Sequence, residues 1–191
     1  MATTFVLTAV FTSQLGSIEL ISDAISWSDL LSDESVQKEV GLSPQLSKKI
    51  RSSLLRIEKP SQKTARLQDE LNEDQFRRLR EIHYQVLGLR AVYLDEVANL
   101  LQLTESQQHI LRGSVKKKIL ERLDRLSKER YRSPEALESA KKSYLAFTEQ
   151  EIEKELTNEQ RLEFKRLKGR DFLPASKIAI RNVPPKPFVD R

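Results

Sequence analysis

One five-residue pattern recurs three times in this chain: Leu71-Asn72-Glu73-Asp74-Gln75, Leu103-Thr104-Glu105-Ser106-Gln107 and Leu156-Thr157-Asn158-Glu159-Gln160. Each copy reads Leu, then Thr or Asn, two polar residues and Gln. The chemistry is that of a helix start. The first backbone N–H groups of a helix lack intrahelical acceptors, and a Thr or Asn oxygen at the N-cap takes one of them. A Gln three residues later reaches back to the N-cap N–H and closes a capping box. The Leu in front sits where a hydrophobic staple begins, and Phe76 offers it an apolar partner in the first copy. The other copies have Gln108 and Arg161 at that offset.

A longer correspondence runs through the chain. Val36, Val40, Leu42, Ser43 and Ile50 recur 61 residues later as Val97, Leu101, Leu103, Thr104 and Leu111. A short helix, a turn and a capped helix are therefore expected twice. In the earlier copy Pro44 follows Ser43 at the first helical position, where its missing N–H is harmless. The box there is incomplete, because Leu46 stands in place of the Gln.

Apolar residues recur at helical spacing behind these starts. The stripes are Leu46, Ile50, Leu54 and Ile57; Phe76, Leu79, Ile82 and Val86; and Ile110, Leu111, Val115, Ile119, Leu123 and Leu126. Two more follow, through Leu137, Ala140, Tyr144, Leu145 and Ile152, and through Leu162, Phe164 and Leu167. Gly41, Lys59-Pro60-Ser61, Gly88, Ser133-Pro134 and Gly169 punctuate them. Five Gly and seven Pro in 191 residues supply little material for tight turns, which argues against an all-β fold. The expectation is an all-α domain over residues 21–173: amphipathic helices in antiparallel hairpins, forming an elongated bundle. An apolar segment, 1–20, precedes it, and an extended tail, 174–191, with Pro184-Pro185-Lys186-Pro187, follows. Each helix carries one apolar stripe, so a homodimer is expected if one chain cannot cover them all.

Several function classes find no support. The chain has no Cys, which removes thiolate metal sites and cysteine nucleophiles. Its two histidines, His83 and His109, are not in a His-x-x-x-His pattern, and no metal site is expected. There is no glycine-rich phosphate loop or nucleophile motif. Carboxylate groups such as Asp95/Glu96 and Glu149/Glu151/Glu153 would need a desolvated cleft to catalyse anything. No catalytic residue and no cofactor is expected.

Charge is uneven. Residues 1–47 hold six acids against Lys38, although the whole chain carries +5. The remainder is basic, and Lys116-Lys117-Lys118 with Arg122 and Arg125 is its densest cluster. Phosphate contact is conceivable there. Glu121 and Asp124 are interleaved, however, and Tyr131 is the only aromatic nearby, so a stacking platform for single strands is missing. At the N-terminus Phe5–Phe11 has the look of a signal h-region, but the first basic residue is Lys38. The run is too short to span a bilayer, and no other segment is a candidate.

Leu-Thr-x-x-Gln at helix starts resembles the signature of bacterial LTxxQ-repeat proteins, usually exported, and more distantly the Spy/CpxP family of periplasmic chaperones. The resemblance runs over roughly residues 30–173. It is carried by the three motifs, by Leu31–Ser43, by Gln85-Val86-Leu87-Gly88-Leu89-Arg90-Ala91 and by Phe164–Phe172. Asn72 departs from the pattern by replacing Thr. The resemblance implies a helical body, cradle-shaped dimers, an extracytoplasmic location and ATP-independent holding of unfolded proteins; some relatives sense metal. The expected function is a non-enzymatic exported protein that binds other proteins, chaperone-like or related to envelope stress. The alternative is a cytoplasmic regulatory or nucleic-acid-associated protein using its basic helix face.

Overall fold

A computed structural model describes residues 26–129, 131, 133–181 and 183. The apolar segment 1–20 and the prolines from Pro184 onward lie outside the described residues. Among the described residues the fold is all-α, with no strand. The helices are α1 (Trp27–Ser32), α2 (Glu34–Val40), α3 (Pro44–Leu54), α4 (Pro60–Glu70), α5 (Glu73–Leu87), α6 (Asp95–Leu100) and α7 (Glu105–Ile110). They continue with α8 (Lys116–Lys128), α9 (Pro134–Glu153), α10 (Asn158–Leu167) and α11 (Ala175–Arg181). A 3-10 segment, Gly88–Tyr93, links α5 to α6, and a π-turn segment, Leu111–Val115, joins α7 to α8.

Local chemistry explains most boundaries. Asn72, Thr104 and Thr157 each accept the N–H of the Gln three residues on, and each Gln returns a bond, so all three boxes close. Ser26 and Asp29 make a fourth box in front of α1. Ser43 and Ser133 cap α3 and α9, each followed by a proline in the first turn. Two helices end alike, 61 residues apart. Leu42 N–H bonds Gln37 O (2.8 Å) after the left-handed Gly41, and Leu103 N–H bonds Ala98 O (3.0 Å) after Gln102. This is the Schellman geometry, in which a left-handed residue lets the chain satisfy the last carbonyls. Gly41 adopts φ 69° freely, whereas Gln102 holds φ 51° with a side chain attached.

The core is one continuous cluster running from Leu30 to Val183. α5 is its axis: Phe76, Leu79, Ile82, Tyr84, Val86 and Leu87 are all buried. α2, α4, α11 and the 3-10 segment pack on α5, and α9 packs on α8, α11 and the 3-10 segment. The Leu of each motif, Leu71, Leu103 and Leu156, is buried as a staple requires.

One helix is additional to the expected stripes, and two expectations are corrected. The charged stretch before Asn72, which carries no apolar stripe, is a helix, α4, which starts at Pro60 and anchors itself through the fully buried Leu67. The tail expected from residue 174 is not extended at its start. Ala175–Arg181 forms α11, held in place by the burial of Phe172, Ile178, Ala179 and Val183. Leu162 does not face the core: α10 turns Phe164 inward, and two residues of helix place Leu162 about 200° away from it.

Candidate functional site

The motif glutamines do more than cap their own helices. Gln107 Nε2 donates to Gln160 Oε1 (2.8 Å) and to Glu155 O (2.7 Å). Gln160 Nε2 donates to Gln107 Oε1 (3.1 Å) and to Leu101 O (3.3 Å). Each amide oxygen also accepts its own N-cap N–H, from Thr104 (3.0 Å) and Thr157 (2.9 Å). A glutamine amide has two donors and two lone pairs, so both side chains are fully satisfied. Two helix starts 53 residues apart are thereby clamped face to face. In the first copy of the motif Gln75 Nε2 donates to Gly41 O (3.2 Å), in the turn before Ser43. Leu46 stands there instead of a second Gln, so the reciprocal amide bond cannot form. Leu71, Asn72, Gln75, Leu103, Thr104, Gln107, Leu156, Thr157 and Gln160 therefore act as architecture, joining segments distant in sequence.

Two groups of charged side chains lie inside this frame. Glu149, on α9, accepts the Leu89 N–H at 2.7 Å, just past the end of α5. Gly88 makes this approach feasible: its φ is +60°, and a Cβ there would sit 2.0 Å from Glu149 Oε1. Burial pushes the Glu149 carboxyl above the ordinary carboxylate range; the Leu89 bond and the charges of Arg90 and Lys168 oppose that rise. Arg90 is buried beside it and donates to Leu87 O (2.9 Å) and Val86 O (3.2 Å), so a cation serves the carbonyl end of α5.

The second group ties the chain's end to its beginning. Arg78 on α5 donates to Glu39 (2.9 Å), to Glu81 (2.8 Å) and to the backbone carbonyl of Arg170 (2.8 Å). The Arg170 side chain reaches Glu39 at 2.7 Å. Gln85 donates to Lys168 O (2.6 Å) and Arg170 O (2.7 Å) and accepts the Phe172 N–H (2.7 Å). Desolvation would raise the Glu39 carboxyl, but Arg78 and Arg170 outweigh it and hold it below the ordinary range. Glu39 and Glu81 line one pocket with Asp74, but Arg78 bridges the two glutamates and Arg170 adds a second cation on Glu39, so each has a structural partner.

The remaining candidates are scattered. His83 is buried with its ring centroid 4.1 Å from that of Trp27, a packed histidine. His109 is exposed on α7. Among the described residues no group of three or more His, Cys, Asp or Glu is placed to hold a metal ion. Within the basic cluster, Lys118 pairs with Glu151 (3.0 Å), while Lys117 and Arg125 face solvent; beyond it, Lys128 pairs with Asp124 (2.5 Å). Among the described residues no helix is long and apolar enough to cross a membrane.

The surface offers a different pattern, absent from the sequence reading. Leu55 is 79% exposed, and Lys48 and Arg51 line the groove it borders. Leu173 is 89% exposed in a recess shared with Lys177. Leu162 is 60% exposed on α10, one turn before Lys165. Helical periodicity assigns leucines inward by default, so only the packed structure could reveal these three.

Compared with protein-family models, curated proteins and solved structures, the chain matches none.

Proposed function

We propose that this is a non-enzymatic helical protein that binds flexible segments of other proteins through surface sites pairing a leucine with a basic side chain. The observation that carries the reading is the repeated pairing at Leu55, Leu162 and Leu173. Single exposed apolar residues are ordinary on any surface. Three of the four large exposed leucines have a lysine or arginine beside them, which suits clients that alternate apolar and acidic residues; the fourth, Leu100, is 48% exposed and has no basic residue within four positions. Apolar contact would supply affinity, and the positive charge would speed encounter. Several small, separate patches favour weak, multivalent holding over one tight interface.

The resemblance of the Leu-Thr-x-x-Gln starts to the exported LTxxQ and Spy/CpxP proteins agrees with this reading. It adds an extracytoplasmic location, an arrangement in helical hairpins and a homodimer to the proposal. The rival nucleic-acid reading is weaker, because Lys118 of the basic cluster pairs with Glu151, Glu121 and Asp124 are interleaved with the rest, and Tyr131 is the one aromatic nearby in the sequence. The test is light scattering from a chemically denatured model protein diluted into buffer with the purified chain in several-fold excess. Suppressed scattering, slower in onset at low salt, is the expected result. Unchanged scattering at every ratio would overturn the proposal.

A further inference from the structure

The groove between α1, α2 and α3 has a volume of about 710 Å³ and is lined by Lys38, Lys48 and Arg51 together with Glu34. Three cations thus face one acid. Cations this close to carboxylates elsewhere in the molecule are used: Lys49 pairs with Glu70, Arg78 with Glu39, and Arg112 with Asp95. Among the described residues Lys38, Lys48 and Arg51 take part in no ion pair. Arg51 is the unusual one. It is half-buried, and its Nε is shielded from solvent with no hydrogen-bond acceptor. Buried donors are almost always bonded, and one left without an acceptor in a groove calls for an explanation.

We infer that this groove binds an acidic peptide segment, with Arg51 gripping a carboxylate and Leu55 covering the apolar side chain next to it. The inference rests on the protein-binding reading above and adds the place and the client chemistry. A guanidinium is matched in shape to a carboxylate and can hold it by two parallel bonds once it turns toward it. Lys38 and Lys48 extend the positive field along the groove and admit a second acidic residue. The volume is that of a sizeable ligand rather than a lone anion. Leu55, one helical turn beyond Arg51, supplies an apolar wall that a bare phosphate would not use. No aromatic side chain lines the groove, so nucleic-acid bases have nothing to stack on.

Fluorescence anisotropy of a labelled peptide alternating Glu and Leu, titrated with the full chain, tests this. Saturable binding that weakens with salt is expected. Arg51→Gln should weaken it roughly tenfold, because the bidentate contact is lost. The Arg51 side chain makes no internal hydrogen bond, so the variant should unfold at the wild-type midpoint. Lys48→Glu, at an exposed position, provides a second variant that should also weaken binding, whereas Lys117→Ala on α8 should leave it unchanged. Equal affinity in wild type, Arg51→Gln and Lys48→Glu would overturn the groove assignment. If aggregation were still suppressed in that case, the general reading would survive its loss. Tighter, Arg51-dependent binding of a single-stranded oligonucleotide, or displacement of the peptide by inorganic phosphate alone, would also overturn it.

Discussion

The glutamine clamp can be broken from either side, and the two halves should not behave independently. Gln160→Ala removes four hydrogen bonds: to the Thr157 N–H, to Leu101 O and the two shared with Gln107. Gln107→Ala removes the Thr104 N–H and Glu155 O bonds and the same shared pair. A net hydrogen bond is worth about 0.5–1.5 kcal/mol, and these amides are half-buried, so each variant should lose about 2–3 kcal/mol. Because two bonds are common to both, the double variant should be more stable than additivity predicts by about 1–2 kcal/mol. Gln75→Ala is the internal control. It loses the Asn72 N–H and Gly41 O bonds without any amide partner, and should cost only about 1–1.5 kcal/mol. Urea unfolding followed by circular dichroism gives all four values, with an unchanged m-value showing that the unfolded state is comparable. Additivity of Gln107→Ala and Gln160→Ala within about 0.5 kcal/mol would mean that the two amides do not touch.

Three other perturbations follow from the geometry. Gln102→Gly should stabilise the chain by about 0.5–1 kcal/mol in the same unfolding assay, because Gly holds a left-handed φ without a Cβ penalty. Gly88→Ala should destabilise it by about 2–3 kcal/mol, since φ +60° with ψ −149° excludes a side chain and the new Cβ would collide with Glu149. Glu149 should leave a pH signature. Its carboxyl binds a proton more tightly folded than unfolded, so its contribution is fully present in acid and fades as pH rises above about 4.3. The unfolding free energy of wild type minus that of Glu149→Gln should therefore fall as pH rises above about 4.3, and a flat difference would show that the carboxyl is not desolvated.

What the sequence disclosed was local. A Thr, two polar residues and a Gln are enough to fix a box, and Asn72, Thr104 and Thr157 cap where the motif places them. Ser133-Pro134 restarts a helix for the same reason. α4 was hidden because Leu67 is its one large apolar residue, too few for a stripe. α11 was hidden by the proline run that follows it, although Ile178 and Ala179 carry a buried face. The clamp between Gln107 and Gln160, the Leu89–Glu149 bond and the grip of Gln85 on residues 168–172 join positions far apart in the chain. Their partners depend on how helices cross, which periodicity does not encode. The same holds for the exposure of Leu55, Leu162 and Leu173, on which the functional proposal stands.

The central claim is that leucines beside cations hold clients. The most direct measurement is light scattering of a denatured model protein with wild type and with the triple variant Leu55→Ser, Leu162→Ser, Leu173→Ser. All three side chains are exposed, so the variant should fold with the wild-type dichroism spectrum and unfolding midpoint. The account predicts suppression by wild type and loss of most of it in the variant. Equal suppression by both proteins, or none by either, would contradict it.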